Sequence, residues 1–180
     1  MSSNYEISKY DWQYIICAVF LIFVFIFTDF LKLFDKESFY YSSRLISEQP
    51  HRIFTSILVH ANINHLLTNL GGIVIIRYFL MQLGIKSKLF YLTFVLICSY
   101  IDFFIIWIYE KILFYFFNII PNYSALGFSG IIYGFFGFLL ISSFYGKRYF
   151  LGLKIDLKKN YEIQKMSKTI CLIGLIFSFL

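Results

Sequence analysis

The chain has 180 residues, of which 59% are hydrophobic and 14% charged, and its formal net charge is +6. Soluble domains contain about half apolar and about a quarter charged residues, so this composition excludes an ordinary soluble protein and indicates an integral membrane protein. The basic residues form no stripe interleaved with aromatic residues, so no nucleic-acid partner is expected. The three cysteines lie singly in apolar runs, which disfavours a disulfide framework or a zinc site.

Long apolar stretches set the predicted fold. A bilayer core of about 30 Å is crossed by a helix of roughly 20 apolar residues, and such stretches predict four spans, at residues 12–30, 64–83, 89–108 and 125–145. A fifth apolar run, residues 169–180, reaches the last residue without a polar flank. We expect it to be the start of an interrupted fifth span in a chain incomplete at its C-terminus; the alternative is a short buried or re-entrant tail. The predicted architecture is one all-α polytopic bundle over residues 1–180.

The distribution of lysine and arginine predicts the orientation. The N-terminus, the end of the second span with the loop after it, and the loop after the fourth span hold 11 of the 16 basic residues. These three segments lie on one side of an alternating topology, and basic loops are cytoplasmic, so the N-terminus is predicted to be cytoplasmic. The first loop, residues 31–63, then faces outward, and its apolar stretches indicate that it lies along the membrane interface.

A cluster of polar residues precedes and enters the second span, in the stretch HANINHLLTN. Asn62, His65 and Asn69 are spaced by three and four residues, so on a helix they share one face, and Asn62 is placed to cap its start. His60 lies just before this helix. Polar groups at membrane depth are costly and mark function by default, although two histidines at a span entry are also explained by hydrogen bonds to interfacial carbonyls.

The second cluster, ALGFSGIIYGFFG, opens the fourth span. Gly127 and Gly130 begin a stripe of small residues that would let helices pack closely, and packing alone is the plainer interpretation of such a stripe. Ser129 would lie near a helix N-terminus, where free N–H groups favour a developing anion. A serine there, flanked by glycines, has the layout of a nucleophile beside an oxyanion site. Tyr133 follows four residues later, on the same face.

Taken together, the two clusters resemble the rhomboid family of intramembrane serine proteases, and the resemblance extends over nearly the whole chain. The matching residues are Arg52, then His60, His65 and Asn69, then Gly127-Phe128-Ser129-Gly130 and Tyr133.

The resemblance implies a role for each matching position. Ser129 would be the nucleophile, and His65, Asn69 and the Ser129 backbone N–H would stabilise the oxyanion. His60 would support that group, and Tyr133 would stack against the general base. Gly127 and Gly130 would leave room beside the serine, and Arg52 would stabilise the first loop.

Three departures from the family pattern are visible. His51 stands where the family usually has tryptophan before the arginine, and the glutamate expected at the end of the second span has no counterpart near residues 80–84. The family's general base is a histidine in a sixth span, whereas no histidine follows His65. A serine without a base is a poor nucleophile at neutral pH. We therefore expect this chain to be inactive as it stands, and a fragment of an active protease is favoured over a natural pseudoprotease.

The predicted function is intramembrane serine endopeptidase, acting in the lipid bilayer on transmembrane protein substrates without metal or cofactor. The alternative is a catalytically inactive rhomboid-like protein that binds membrane helices, for which Ser129 would be dispensable. A third interpretation, a channel or transporter subunit, would need a pore lined by Asp102.

Overall fold

The computed structural model describes residues 12–46, 48–82, 88–119, 124–145, 147–150 and 153–156, with a few helical positions between 161 and 172. The described chain is mostly helical. Its helices are α1 (Trp12–Phe25), the single turn α2 (Arg52–Thr55), α3 (Ile63–Gln82), α4 (Lys88–Phe117) and α5 (Ser129–Tyr145). Most of the predicted fifth span, residues 169–180, lies outside the described residues.

Two short antiparallel ribbons complete the secondary structure. β1 (Tyr41–Ser42) pairs with β2 (Ser124–Ala125), with Tyr41 opposite Ala125. β3 (Lys147–Phe150) and β4 (Leu153–Asp156) pair in the basic segment after α5. Because β1 belongs to the first loop and β2 lies directly before α5, the first ribbon ties that loop to the start of α5.

The end of α1 is held by polar contacts. The helix widens into a π-helical turn, Ile26–Phe30, where the Thr28 hydroxyl donates to the carbonyl of Val24 at 3.0 Å. Asp29 in this turn forms an ion pair with Lys36, and Lys36 Nζ also donates to the carbonyl of Ala61 at 3.0 Å. The first loop is thereby connected to both the end of α1 and the segment before α3.

The hydrophobic core lies where α3 packs between α1 and α5. Steps of three and four residues put one stripe of α3 inside; it comprises Leu66, Asn69, Ile73, Ile76 and Phe79. From α5 and the residue before it, the buried residues are Phe128, Ile131, Ile132, Phe135 and Phe136. Asn69 is the polar member of this otherwise apolar contact surface.

Gly72 sets how closely α3 and α5 approach. A methyl group in its place would lie 2.6 Å from Ile132 Cδ1, so the isoleucine would have to move.

Large apolar side chains cover the outer surface of the bundle. By length and hydropathy, one helical stretch of the described residues is able to cross a membrane: Trp12–Phe30, 19 residues long with a mean hydropathy of 2.2. Exposed apolar residues continue along α1 and α4; they include Ile16, Phe20, Ile101, Phe104 and Ile105. An apolar surface of this extent is unusual in a soluble monomer and suits lipid. The four full spans expected from the sequence stay a prediction.

Two helix boundaries differ from those of the predicted spans. α4 continues to Phe117, nine residues past residue 108, and ends where Asn118 adopts a left-handed backbone with φ of 53°. The amide of Asn118 donates to the carbonyl of Phe114, which is the αL type of helix ending, and the amide of Ile119 donates to the carbonyl of Leu113.

α5 begins at Ser129 and not at Ala125. The preceding residues are occupied by β2, and Gly127 has a φ of +102°, which is incompatible with a right-handed helix.

Candidate active site

The polar segment before α3 forms the first half of the site. The Asn62 side chain accepts a hydrogen bond from the backbone N–H of His65 at 2.9 Å, so it caps α3 as the sequence predicts. This cap places His65 in the first turn. The ring of His60 lies against the ring of His65, with centroids 5.3 Å apart and planes at 72°, an edge-to-face contact.

His60 is an enclosed imidazole. Its side chain is 0% exposed, and neither ring nitrogen makes a well-formed hydrogen bond among the described residues. Burial first, and the neighbouring His65 second, lower the pKa of His60 from 6.5 to about 4, although a backbone interaction with Leu58 acts in the opposite direction. His60 is therefore neutral at physiological pH, and it cannot supply a permanent positive charge to the site.

Asn69 lies one helical turn beyond His65 on α3. Its side chain is 1% exposed, and Nδ2 has no hydrogen-bond partner among the described residues. A buried amide without a partner costs free energy, so such a group is rare unless a ligand or water completes it. Asn69 is thus an enclosed donor with unused capacity close to the two histidines.

Gly127 brings the second half of the site against the first. Its N–H donates to the carbonyl of Ser56 at 2.8 Å, and its φ of +102° lies in a region that glycine alone adopts without strain. A Cβ at this position would lie 2.5 Å from His65 Cε1 and 2.9 Å from Nε2. The backbone of Gly127 is therefore packed directly on the His65 imidazole, and no larger residue fits.

Ser129 follows two residues later, as the first residue of α5. It is half-buried, and its hydroxyl makes no hydrogen bond to any other described residue. The preceding Phe128 is buried in the core and fixes the start of the helix. The first amides of a helix lack intrahelical acceptors, so Ser129 lies where a negative charge is favoured.

Not every residue predicted for the site lies in this cluster. Tyr133 is 42% exposed and makes no ring contact among the described residues. Gly130 is exposed on the first turn of α5.

Arg52 is buried away from the histidines and supports the first loop. Its Nη1 donates to the carbonyls of Glu37 and Tyr40, both at 2.8 Å, and its Nε donates to Gln49 Oε1 at 2.6 Å. The guanidinium thereby satisfies two carbonyls of the first loop. Arg52 contacts the backbone of this loop and not the serine segment.

Two contacts escaped the sequence analysis. The carbonyl of Ser56 holds Gly127, but a backbone acceptor leaves no mark in a sequence. Lys36 donates to the carbonyl of Ala61, the residue after His60. In the sequence, this contact is indicated only by the two opposite charges of Lys36 and Asp29, which form an ion pair. Among the described residues, no group of three or more histidine, cysteine or acidic side chains is arranged to hold a metal ion.

The described structure is a helical bundle with an apolar exterior, in which the polar start of α3 contacts the segment that leads to Ser129. A family model described as the Rhomboid domain matches residues 47–180, most of the chain. The chain therefore belongs to the rhomboid family, whose members are integral membrane proteins and comprise intramembrane proteases and inactive relatives. No match was found among curated proteins or among solved structures.

Proposed function

We propose that this protein provides the serine side of an intramembrane endopeptidase that cleaves transmembrane protein substrates. The observation that carries the proposal is the contact of the His65 ring with the Gly127 backbone. It brings the polar face of α3 against the segment that leads to Ser129, so the donors and the hydroxyl occupy one end of the bundle. Two helix starts from distant parts of the sequence have no packing need to meet through a histidine and a glycine of positive φ.

In the proposed reaction, Ser129 Oγ attacks the carbonyl carbon of the scissile peptide bond and passes its proton to a general base. The carbonyl oxygen becomes an oxyanion, which accepts hydrogen bonds from His65, Asn69 and the Ser129 N–H. The unused Nδ2 of Asn69 supports this role, because a buried donor without a partner is ready for an anion that exists only during the reaction. His60 packs edge-on against His65 and holds its orientation.

The general base is the part of the reaction that the three histidines do not supply. His51 is exposed outside the cluster, His65 is assigned to the oxyanion, and the low pKa of His60 makes it a weak base. The proposal thus needs a base from outside these 180 residues, such as a histidine on a further helix. Tyr133, exposed one turn after Ser129, offers the ring against which it would stack.

We also propose the membrane arrangement. Four helices span the bilayer near residues 12–30, 64–83, 89–108 and 125–145, and the N-terminus is cytoplasmic. The exposed apolar faces of α1 and α4 support lipid contact, and the site then lies towards the outer face, where α3 and α5 begin.

Activity-based labelling tests the proposal. The complete coding sequence, read past Leu180, is expressed in membranes and treated with a fluorophosphonate probe, with Ser129→Ala as the test variant and Ser124→Ala as the matched control. We expect labelling and cleavage of a transmembrane reporter in the wild type and in the control, and neither in Ser129→Ala. The 180-residue chain alone should label little, because it has no base.

The alternative function is a non-catalytic rhomboid protein that binds membrane helices, and the missing histidine after His65 favours it. A stop codon directly after Leu180 together with absent labelling would establish this alternative. Co-purification of membrane-anchored proteins equally well by the wild type and by Ser129→Ala would point the same way.

A further inference from the structure

Glu110 is a buried carboxylate that the proposed reaction does not use. It is 7% exposed and lies on α4, just beyond the proposed third span. Tyr41 donates its hydroxyl hydrogen bond to Glu110 Oε2 at 3.4 Å, across 69 residues of sequence, and the Ser43 side chain also bonds the carboxylate. Acidic side chains are almost never enclosed without such partners, so the position of Glu110 needs a structural or functional reason.

The partner of Glu110 belongs to the ribbon that precedes the serine. Tyr41 is 1% exposed and is the first residue of β1, opposite Ala125 of β2. Two residues after Ala125, the chain reaches Gly127, which packs on His65. A carboxylate on α4 is thereby connected, through one tyrosine and one strand pair, to the backbone that leads into Ser129.

This ribbon depends on contacts from outside itself. Each strand has two residues, and an isolated two-stranded ribbon of any length is marginal in water. Arg52 holds the carbonyls of Glu37 and Tyr40 on the N-terminal side of β1. Glu110, on α4, accepts the hydrogen bond of Tyr41 within β1. Arg52 and Glu110 therefore fix the strand at two different points.

We propose that Glu110 is a positioning residue for the serine site: by accepting the Tyr41 hydrogen bond it fixes β1, and through β2 it sets the position of Gly127 and Ser129. The part of this proposal that concerns catalysis rests on the proposed function. The anchoring of the ribbon is testable without activity.

The experiment measures amide hydrogen exchange and probe labelling on the protein from the complete coding sequence in lipid nanodiscs. The variants are Tyr41→Phe, which removes only the hydroxyl, Glu110→Leu, and Glu110→Gln, which keeps an acceptor oxygen. Loss of one hydrogen bond corresponds to roughly a three- to tenfold rise in local opening. We expect that rise in residues 124–129 for Tyr41→Phe and Glu110→Leu, with a similar fall in the labelling rate of Ser129. Glu110→Gln should stay within about twofold of the wild type.

Matched controls separate anchoring from general damage. Tyr109→Phe removes a hydroxyl from an exposed tyrosine on the same helix, and Glu48→Gln neutralises an exposed glutamate; both should leave exchange at 124–129 unchanged. If Glu110→Leu does not fold, Tyr41→Phe alone still decides the question.

The outcomes distinguish the two proposals. Unchanged exchange at 124–129 in Tyr41→Phe overturns the anchoring, as does a Glu110→Gln variant that behaves like Glu110→Leu. Faster exchange with unchanged Ser129 labelling overturns the positioning role. If the wild type is not labelled at all, the proposed function fails, while the exchange data still support or overturn the anchoring of the ribbon.

Discussion

The two helix starts that meet at the candidate site differ in how they are enclosed. On the α3 side, His60 and Asn69 are 0% and 1% exposed. On the α5 side, Ser129 is half-buried and Tyr133 is 42% exposed. The α3 half is therefore fixed by the protein's own packing, whereas the α5 half faces outward. Under the proposed function, a substrate segment and a base would enter on that side. If the proposed function holds, the enclosed half would supply preorganised donors and the open half an accessible nucleophile.

The largest effect is expected from Gly127→Ala, because this change separates the two halves. The alanine would be strained at a φ of +102°, and its methyl group would overlap the His65 ring. Backbone strain and overpacking each cost about 1–3 kcal/mol, so we expect unfolding to be easier by about 3 kcal/mol. Denaturant unfolding in detergent measures this loss, and Ser129 labelling should disappear.

Gly137→Ala is the control for that variant. Gly137 lies in α5, and a methyl group there meets no atom within 4 Å. In a helix, alanine is favoured over glycine by roughly 0.5–1 kcal/mol, so stability should be unchanged or slightly higher. Equal losses at both glycines would contradict the assigned contact with His65.

The next largest effect is expected from replacing Arg52, which supports the first loop. Arg52→Ala leaves the carbonyls of Glu37 and Tyr40 without their charged donor, and we expect a loss of about 2–3 kcal/mol in unfolding free energy. Arg52→Lys should recover little of it, because one ammonium cannot reproduce the planar fork of the guanidinium. Thermal unfolding of both variants is compared with that of Arg44→Ala, at an exposed arginine of the same loop. A loss of stability at position 52 alone would show that the burial of Arg52 matters.

A pH-dependent effect tests the enclosed half. The unfolded chain protonates His60 near pH 6.5, whereas the folded protein does so only near pH 4. Stability attributable to neutral His60 is therefore complete above pH 6.5 and is lost as the pH falls towards 4. The unfolding midpoint of His60→Gln should fall less steeply over this range than that of the wild type. Identical slopes in His60→Gln and in the wild type would speak against the burial of His60.

The smallest effect is expected at the cap of α3. Asn62→Ala removes the acceptor of the His65 N–H and should destabilise the protein by about 1 kcal/mol, while Asn62→Asp keeps the acceptor and should cost little. Asn64→Ala, two residues on and exposed, is the matched control. Chemical denaturation measures the unfolding free energy of each variant. Equal losses in Asn62→Ala and Asn64→Ala would contradict the importance of the cap.

Local signals predicted the parts of the structure that are themselves local. The Asn62 cap and the four-residue step from His65 to Asn69 on α3 follow from spacing along one helix. The end of α4 was not predicted, because the hydropathy of a membrane span does not register how far a helix continues beyond it. The predicted span therefore ended at residue 108, although α4 continues to Phe117.

Contacts between distant segments were not predictable in the same way. Gly127 was identified as a small residue beside a serine, but its approach to His65 depends on a hydrogen bond to the Ser56 backbone. Tyr41 and Glu110 meet across 69 residues, and neither position differs in kind from other tyrosines and glutamates in the chain. The assignment of catalytic roles to Ser129, His65 and Asn69 stays a prediction.

The segment from β2 to α5 has a consequence for changes in chain length. Ala125 is fixed by strand register, Gly127 by its bond to Ser56 and its contact with His65, and Ser129 by the phase of α5. Because each helical residue advances by about 100°, one residue inserted at Leu126 would turn the serine away or break one of the other two fixed points. Insertions and deletions in this short interval should accordingly be tolerated less well than most substitutions, because the number of residues in it is fixed by the contacts at both of its ends.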